Sequence, residues 1–503
     1  MIGIMIQGTS SDVGKSFVCT ALCRALARKG MKVTPFKSQN MSNNSYVTKA
    51  GEEIGRAQGI QAEAASVEAT VMMNPILLKP RNDHTSEVVR FGRVHETLSG
   101  RHYRQQFYEL GLETIKEALS ALERDFEAIV IEGAGSPVEM NLNDRELVNM
   151  KVAELADVPV ILVADIDRGG IFASIAGTLQ LLTAEQRKRV VGVIINKFRG
   201  DPTLFESGRI WIEENLKVPV LAVLPYVKDH RIESEDSLSR QALYPTTKQQ
   251  AKGLEIAMID LPYLSNDTDL EPFRYEQDVT IRLVGMHDPL GNPDAVIIPG
   301  TKSTIRDLDA MKDTGLSEQI KAFAEEGGTV VGICGGYQIL GRSIVDKAGS
   351  DTGIAGHEVA GLDLLPVHTT FISEKWTTQS TGTFIPQKLS SLADVTGFEI
   401  HLGQTTRLDE AATPFLQVLD REDGVFAEDG RVIGTYFHHL FHNDEWRTWW
   451  LNRLRRARGL GERQAENFSL ERLRAYDRAA DWIEKELDVD FLLQKMRVWK
   501  ENK

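Results

Sequence analysis

The sequence predicts an α/β protein: two parallel-sheet units in series, followed by a helical tail. Short apolar, β-branched runs recur at 2–6, 32–35, 128–131, 158–164, 190–195 and 218–224, with helical stretches between them. Continuous apolar strands alternating with helices form a parallel sheet covered on both faces. A second series starts at residue 254, with strands expected at 255–259, 295–298 and 329–333 and extended segments at 397–400, 424–426 and 432–436. A polar stretch without periodicity separates the two series and predicts a linker. From residue 445 the chain turns helical and Arg-rich. The expected boundaries are therefore 1–228, a linker at 229–252, a second domain at 253–446 and a helical extension at 447–503.

Composition narrows the function. A length of 503 residues supplies a sizeable core without staples, and a net charge of −14 disfavours a nucleic-acid or membrane-surface partner. A local basic pocket for an anion stays compatible with that total. Three cysteines, Cys19, Cys23 and Cys334, are too few for a disulfide framework and fit a reducing compartment. The N-terminus lacks a signal-peptide pattern, and no apolar run reaches the ~18 residues of a membrane span. A cytoplasmic location is expected.

The first strand runs directly into Gly8-Thr-Ser-Ser-Asp12-Val-Gly14-Lys15-Ser16, and a helical run follows. Backbone N–H groups of such a loop, with the helix N-terminus, cradle phosphate oxygens. Lys15 can reach the β/γ-phosphates of ATP, and the Ser16 hydroxyl can bind Mg²⁺. A glycine-rich turn without a ligand is the alternative. Five residues separate Gly8 from Gly14, one more than the standard loop has. Glu132 ends a strand in Ile131-Glu-Gly-Ala-Gly135, where a carboxylate can hold Mg²⁺ or serve as a plain turn residue. Asp165 and Asp167 end the next strand, placed to sense a metal, orient a substrate or cap a helix. Asn196-Lys197 resembles a base-contacting pair, although Lys197 equally suits a solvated charge.

In the second half, strand 329–333 leads into Cys334-Gly335-Gly336 and a helix. A strand-to-helix turn exposes the sulfur, and the helix N-terminus lowers a thiol pKa. The N–H groups of Gly335 and Gly300 can serve an oxyanion. His438, after strand 432–436, is the candidate base. Cys19 and Cys23 lie four apart on the first helix and fit core positions. In the tail, Arg447, Arg453, Arg455, Arg456 and Arg458 suggest a solvated face, and Trp446, Trp449 and Trp450 suggest packing on the second domain.

Several strings together resemble the cobyric acid synthase family. They are the phosphate loop, Pro35-Phe-Lys-Ser-Gln-Asn-Met-Ser-Asn-Asn-Ser45, Ala164-Asp-Ile-Asp-Arg-Gly-Gly-Ile-Phe172, Pro299-Gly-Thr-Lys-Ser-Thr304 and Gly397-Phe-Glu-Ile-His401. The resemblance implies a dethiobiotin-synthetase-like P-loop ATPase domain followed by a class I glutamine amidotransferase-like domain. It implies amidation of the b, d, e and g carboxylates of adenosylcobyrinic acid a,c-diamide, using ATP, Mg²⁺ and glutamine, to give adenosylcobyric acid. Ammonia must reach an acyl phosphate uncharged, so its passage between the domains, shielded from water, is expected. By position, Cys334 is the expected nucleophile and His438 its base. Gly8, Asp12, Gly14, Lys15, Ser16, Lys37 and Asn196 are expected at the nucleotide, with Ser16 and Glu132 at the metal. Leu440 stands where many class I members place a glutamate, which leaves Glu399 as a candidate orienting carboxylate. His439 stands where the family often has glycine. A ParA-like ATPase that switches partner binding is the competing class, which the Cys334 turn and His438 disfavour. A cobyrinic acid a,c-diamide synthase is the nearer alternative, distinguished by which carboxylates it amidates.

Overall fold

The apolar runs of the first half become the strands of one sheet. The computed structural model describes residues 1–80, 85–228, 230–232, 253–410 and 412–501. The chain divides into two compact units. The first comprises Met1–Ser42, Glu52–Glu235 and Arg472–Lys503; the second comprises Asn43–Gly51 and Asp236–Glu471.

In the first unit six parallel strands run in the order Val220–Pro225, Val190–Phe198, Val160–Asp165, Ile2–Gly8, Ala128–Glu132, Val33–Phe36. Strand Ile2–Gly8 lies between the strands that end in Glu132 and Asp165, so the loop after it opens at the carboxyl edge of the sheet. That edge is where open α/β sheets bind ligands. Helix Lys15–Arg28 packs its buried face, including Cys19 and Cys23, into the core. A smaller sheet, not anticipated from the sequence, contains Gln39–Met41, Ile76–Pro80, Thr85–Arg90 and Arg93–Ser99. Its first strand has three residues and its last is largely exposed, so neither shows the apolar continuity of the main sheet.

The second unit carries parallel strands in the order Val279–Val284, Leu254–Ile259, Ala295–Ile298, Thr329–Ile333, Val432–Thr435, with Val425–Ala427 antiparallel at the edge. A second sheet centres on Val367–Phe384, which pairs with Val395–Arg407.

The division differs from the expected domains in two places. Residues 43–51 fold with the second unit. The tail splits: helix Asp444–Ala457 stays with the second unit, whereas residues 472–503 fold with the first. The physical reason is an apolar stripe, Ala475, Ala479, Ile483, Leu492 and Met496, which enters the same core as Ile4, Leu22 and Val130. The expected linker at 229–252 lies, apart from 230–232, outside the described residues. Trp446 and Trp450 are buried in the second unit's core, as their apolar character suggested. The Arg-rich face is not uniformly solvated. Arg447 and Arg455 are buried, Arg447 donating to Glu276 at 2.8 Å and Arg455 to Asp278 at 2.7 Å. Burial of a guanidinium is tolerable only with such partners. Among the described residues no helix is long and apolar enough to cross a membrane.

Candidate active sites

The first unit gathers its polar side chains around Glu132, which is fully buried at its strand's C-terminal tip. One carboxylate oxygen accepts from the Ser16 hydroxyl at 2.8 Å and from Lys37 Nζ at 3.0 Å. The other accepts from Gln61 Nε2 at 2.5 Å. Burial pushes the carboxyl pKa up, but the Lys37 charge and these bonds outweigh it and hold Glu132 below its ordinary value. A hydroxyl and a carboxylate oxygen side by side are hard donors of the kind Mg²⁺ takes, so the residues fit the metal. Lys15 Nζ donates to the carbonyls of Ser10 and Gly135, at 3.2 and 3.3 Å.

The loop is braced from the neighbouring strand. Gly14 has φ 93°, and a Cβ there would lie 2.4 Å from Asn196 Nδ2. That amide donates to the Val13 carbonyl at 2.7 Å, so Asn196 is buried beneath the loop. Lys197 pairs with Asp165 at 2.9 Å, and Asp165 also accepts the N–H of Asp167. Asp167 pairs with Arg199, and Asp12 lies 3.4 Å from Arg168. Asp165 and Asp167 thus form local pairs, whereas Gly8, Gly14, Lys15, Ser16, Lys37 and Glu132 converge. Gln61, which no motif indicated, joins them from helix Arg56–Ala64.

In the second unit Cys334 occupies a strained turn, φ 55° and ψ −108°, at the head of helix Gly335–Leu340. Its backbone N–H donates to Thr435 O at 2.8 Å, which aligns the turn with the strand leading to His438. The turn packs so closely that a Cβ on Gly336 would sit 1.9 Å from the Ile298 carbonyl. The same packing brings Gly335 against Thr301, and Gly300 faces His438, whose Cε1 lies 3.1 Å from where a Gly300 Cβ would be. The structure therefore brings Cys334, Gly335, Gly300 and His438 together.

The group that orients His438 is Asp269, not Glu399. Asp269 Oδ2 lies 2.8 Å from His438 Nδ1, and Oδ1 accepts the N–H of His439 at 2.7 Å. Burial alone would lower the imidazole pKa. The Asp269 charge and hydrogen bond, with a contribution from Cys334, reverse that and push it up to about 10. Glu399 is instead committed to Arg421 and lies 3.6 Å from His401. Asp269 lies on helix Asp267–Tyr275, ten residues beyond strand Leu254–Ile259, and no motif in the sequence marks it. His439 adopts a left-handed conformation, φ 65°, a backbone region that glycine enters without strain.

Two further features complete this unit. Asn44 Oδ1 accepts the N–H of Asn266 at 3.0 Å, and Asn266 Oδ1 accepts that of Ser45 at 3.1 Å. The Asn266 amide nitrogen lies 3.5 Å from His438 Nε2. The string Pro35–Ser45 thus supplies Lys37 to the first unit's site and Asn44 and Ser45 to the second's. A cavity of about 510 Å³ lies beside the helix that follows Cys334, lined by Tyr337, His401, Gly403, Arg407, Arg421 and Tyr436 among others.

Residues 4–238 match the CobQ/CobB/MinD/ParA nucleotide binding domain, and residues 255–446 match the CobB/CobQ-like glutamine amidotransferase domain. Fold and comparison together define a nucleotide-using enzyme of the glutamine amidotransferase class. The chain is 49% identical over 497 residues to a cobyric acid synthase from a Geobacillus species, covering 98% of this chain and 97% of that one. A cobyric acid synthase from Anoxybacillus flavithermus is 49% identical, at 98% and 97% coverage. One from a Synechocystis species is 44% identical, at 99% of both chains. The chain belongs to the cobyric acid synthase family, and it is an amidoligase.

Proposed function

We propose that this enzyme uses ATP and glutamine to convert the b, d, e and g carboxylates of adenosylcobyrinic acid a,c-diamide to carboxamides, giving adenosylcobyric acid in cobalamin biosynthesis. The observation that carries the reading is the Cys334 turn beside the His438–Asp269 pair, in a chain that also holds Lys15, Lys37 and Glu132 around a phosphate loop.

In the glutaminase half, the proton shared by Cys334 and His438 rests on the imidazole, and Asp269 stabilises that imidazolium beside the sulfur. The thiolate attacks the glutamine carboxamide carbon. The N–H groups of Gly335 and Gly300 hold the oxyanion. As the C–N bond breaks, His438 returns its proton to the departing ammonia. Water then cleaves the thioester, giving glutamate and the free thiol. The 510 Å³ cavity takes the amino-acid end of glutamine, with Arg407 and Arg421 serving its carboxylate.

In the ligase half, a corrinoid carboxylate oxygen attacks the γ-phosphorus of ATP. The bond to the β-phosphate oxygen breaks and ADP leaves. Ammonia attacks the acyl phosphate carbon, loses a proton and expels phosphate. A free carboxylate is a poor electrophile, and phosphate supplies the leaving group. Lys15 and Lys37 offset charge on the transferring group. Ser16 and Glu132 would hold Mg²⁺, which supplies further positive charge at the phosphates.

The test is ATP consumption with corrinoid and either nitrogen donor. Lys15→Ala should lose synthesis with both glutamine and ammonium. Normal ammonium-dependent synthesis in that variant would remove the phosphate loop from the chemistry. Glutamine-stimulated ATP turnover that ignores the corrinoid would favour a switching ATPase instead.

A further inference from the structure

A second cavity lies wholly within the first unit and encloses about 480 Å³, a size typical of small-molecule sites. Leu78, Val88 and Leu98 of the smaller sheet form one wall. Tyr103, on helix Gly100–Gln106, and the segment 134–149 form the others.

Two observations tie this cavity to the phosphate site. The segment 134–149 follows directly from the strand that ends in Glu132. Its residue Gly135 lines the cavity and accepts the Lys15 ammonium on its carbonyl at 3.3 Å. Lys15 and the cavity therefore share a wall residue.

The rim has an unusual character. Met41 is 59% exposed and Leu142 is 43% exposed, and both line the cavity. Large apolar side chains at the mouth of an apolar cavity leave favourable burial unrealised. Met41 is set by its strand, which pairs with Ile76–Pro80, and Leu142 is held there by a strap. Arg104 donates to the carbonyls of Asn141 and Leu142, at 3.1 and 3.4 Å, and pairs with Asp144. Arg145 donates to the carbonyls of Arg104 and Gln105, at 2.8 and 3.1 Å. Tyr103 is fixed as well: its hydroxyl donates to Gln39 at 2.6 Å and its ring stacks on Phe107. The apolar rim is thus built into place with an open face.

We propose that this cavity receives the apolar edge of the corrinoid and directs one peripheral carboxylate at Lys15. This rests on the function given above. The ligand must combine an apolar surface, to cover Met41, Leu98 and Leu142, with a carboxylate on a side chain long enough to reach the phosphate lysine. A polycarboxylate macrocycle has both.

Full-length Leu142→Glu and Met41→Glu test the assignment, because both positions are exposed and tolerate a charge in the folded state. Steady-state synthesis with ammonium, ATP and adenosylcobyrinic acid a,c-diamide is measured, with glutamine hydrolysis alongside. The corrinoid KM should rise about ten-fold or more in each variant, while the ATP KM and glutamine hydrolysis stay within about two-fold. An unchanged corrinoid KM in both variants, with the wild type active, overturns the cavity assignment alone. A raised ATP KM with an unchanged corrinoid KM also overturns it, and gives the cavity to the nucleotide. A wild type that leaves the corrinoid unamidated overturns the functional reading, and the cavity assignment with it.

Discussion

His438 Nδ1 lies 2.8 Å from Asp269 Oδ2, and the other oxygen of the same carboxylate accepts the N–H of His439. Both oxygens are therefore committed to the backbone and side chain around one imidazole. This fixes the ring's tautomer and direction and leaves Nε2 for the reacting groups.

Asp269→Asn is expected to keep the fold and to lower glutamine-dependent turnover by on the order of 10²–10⁴-fold. Synthesis from added ammonium should stay near the wild-type rate. Glu399→Gln should act through Arg421 instead, raising the glutamine KM and sparing most of the glutamine-dependent kcat. Paired assays with the two nitrogen donors check both variants.

The same pair makes stability depend on pH. The folded-state pKa of His438 is raised to about 10, against an ordinary value of ~6.5 in the unfolded chain. Between these values the folded state binds a proton that the unfolded state does not. The pair's contribution is therefore fully present below about pH 6.5 and is lost as pH rises towards about 10. Urea unfolding across this range should show a smaller alkaline decline in Asp269→Asn than in the wild type. Equal slopes would contradict the assignment.

Glu132 and Lys37 form a buried pair, so removing one partner strands the other. Glu132→Gln should cost about 3–5 kcal/mol of stability and abolish synthesis with either nitrogen donor. Glutamine hydrolysis measured alone should persist. Denaturation and the two half-reaction assays separate these effects.

The C-terminal helices are structural parts of the first unit. Ile483 is fully buried among its core residues. Ile483→Ala should destabilise the protein by about 2–5 kcal/mol. Wild-type stability in that variant would detach the tail from this core.

What the sequence made legible follows from how local each signal is. The main parallel sheets were readable because their strands are continuous apolar runs ending in site residues, as at Gly8 and Glu132. The Cys334 turn was readable because its glycines are adjacent to it. Asp269 was not, because 169 positions separate it from His438 and no spacing rule links them. The unit that residues 472–503 join was not legible either, since an amphipathic stripe such as Ala475, Ala479 and Ile483 shows that a helix packs but not against what. Arg447 and Arg455 likewise gave no sign of burial until Glu276 and Asp278 were found beside them.

The most direct measurement is mass spectrometry of the corrinoid product made by Cys334→Ala from adenosylcobyrinic acid a,c-diamide and ATP, with glutamine or ammonium as nitrogen source. With ammonium, the four remaining carboxylates should become carboxamides. With glutamine, the substrate should return unchanged. Amidated product from glutamine in this variant would contradict Cys334 as the nucleophile. Unchanged substrate with ammonium, where the wild type amidates it, would contradict the separation into a glutaminase and an ATP-dependent ligase.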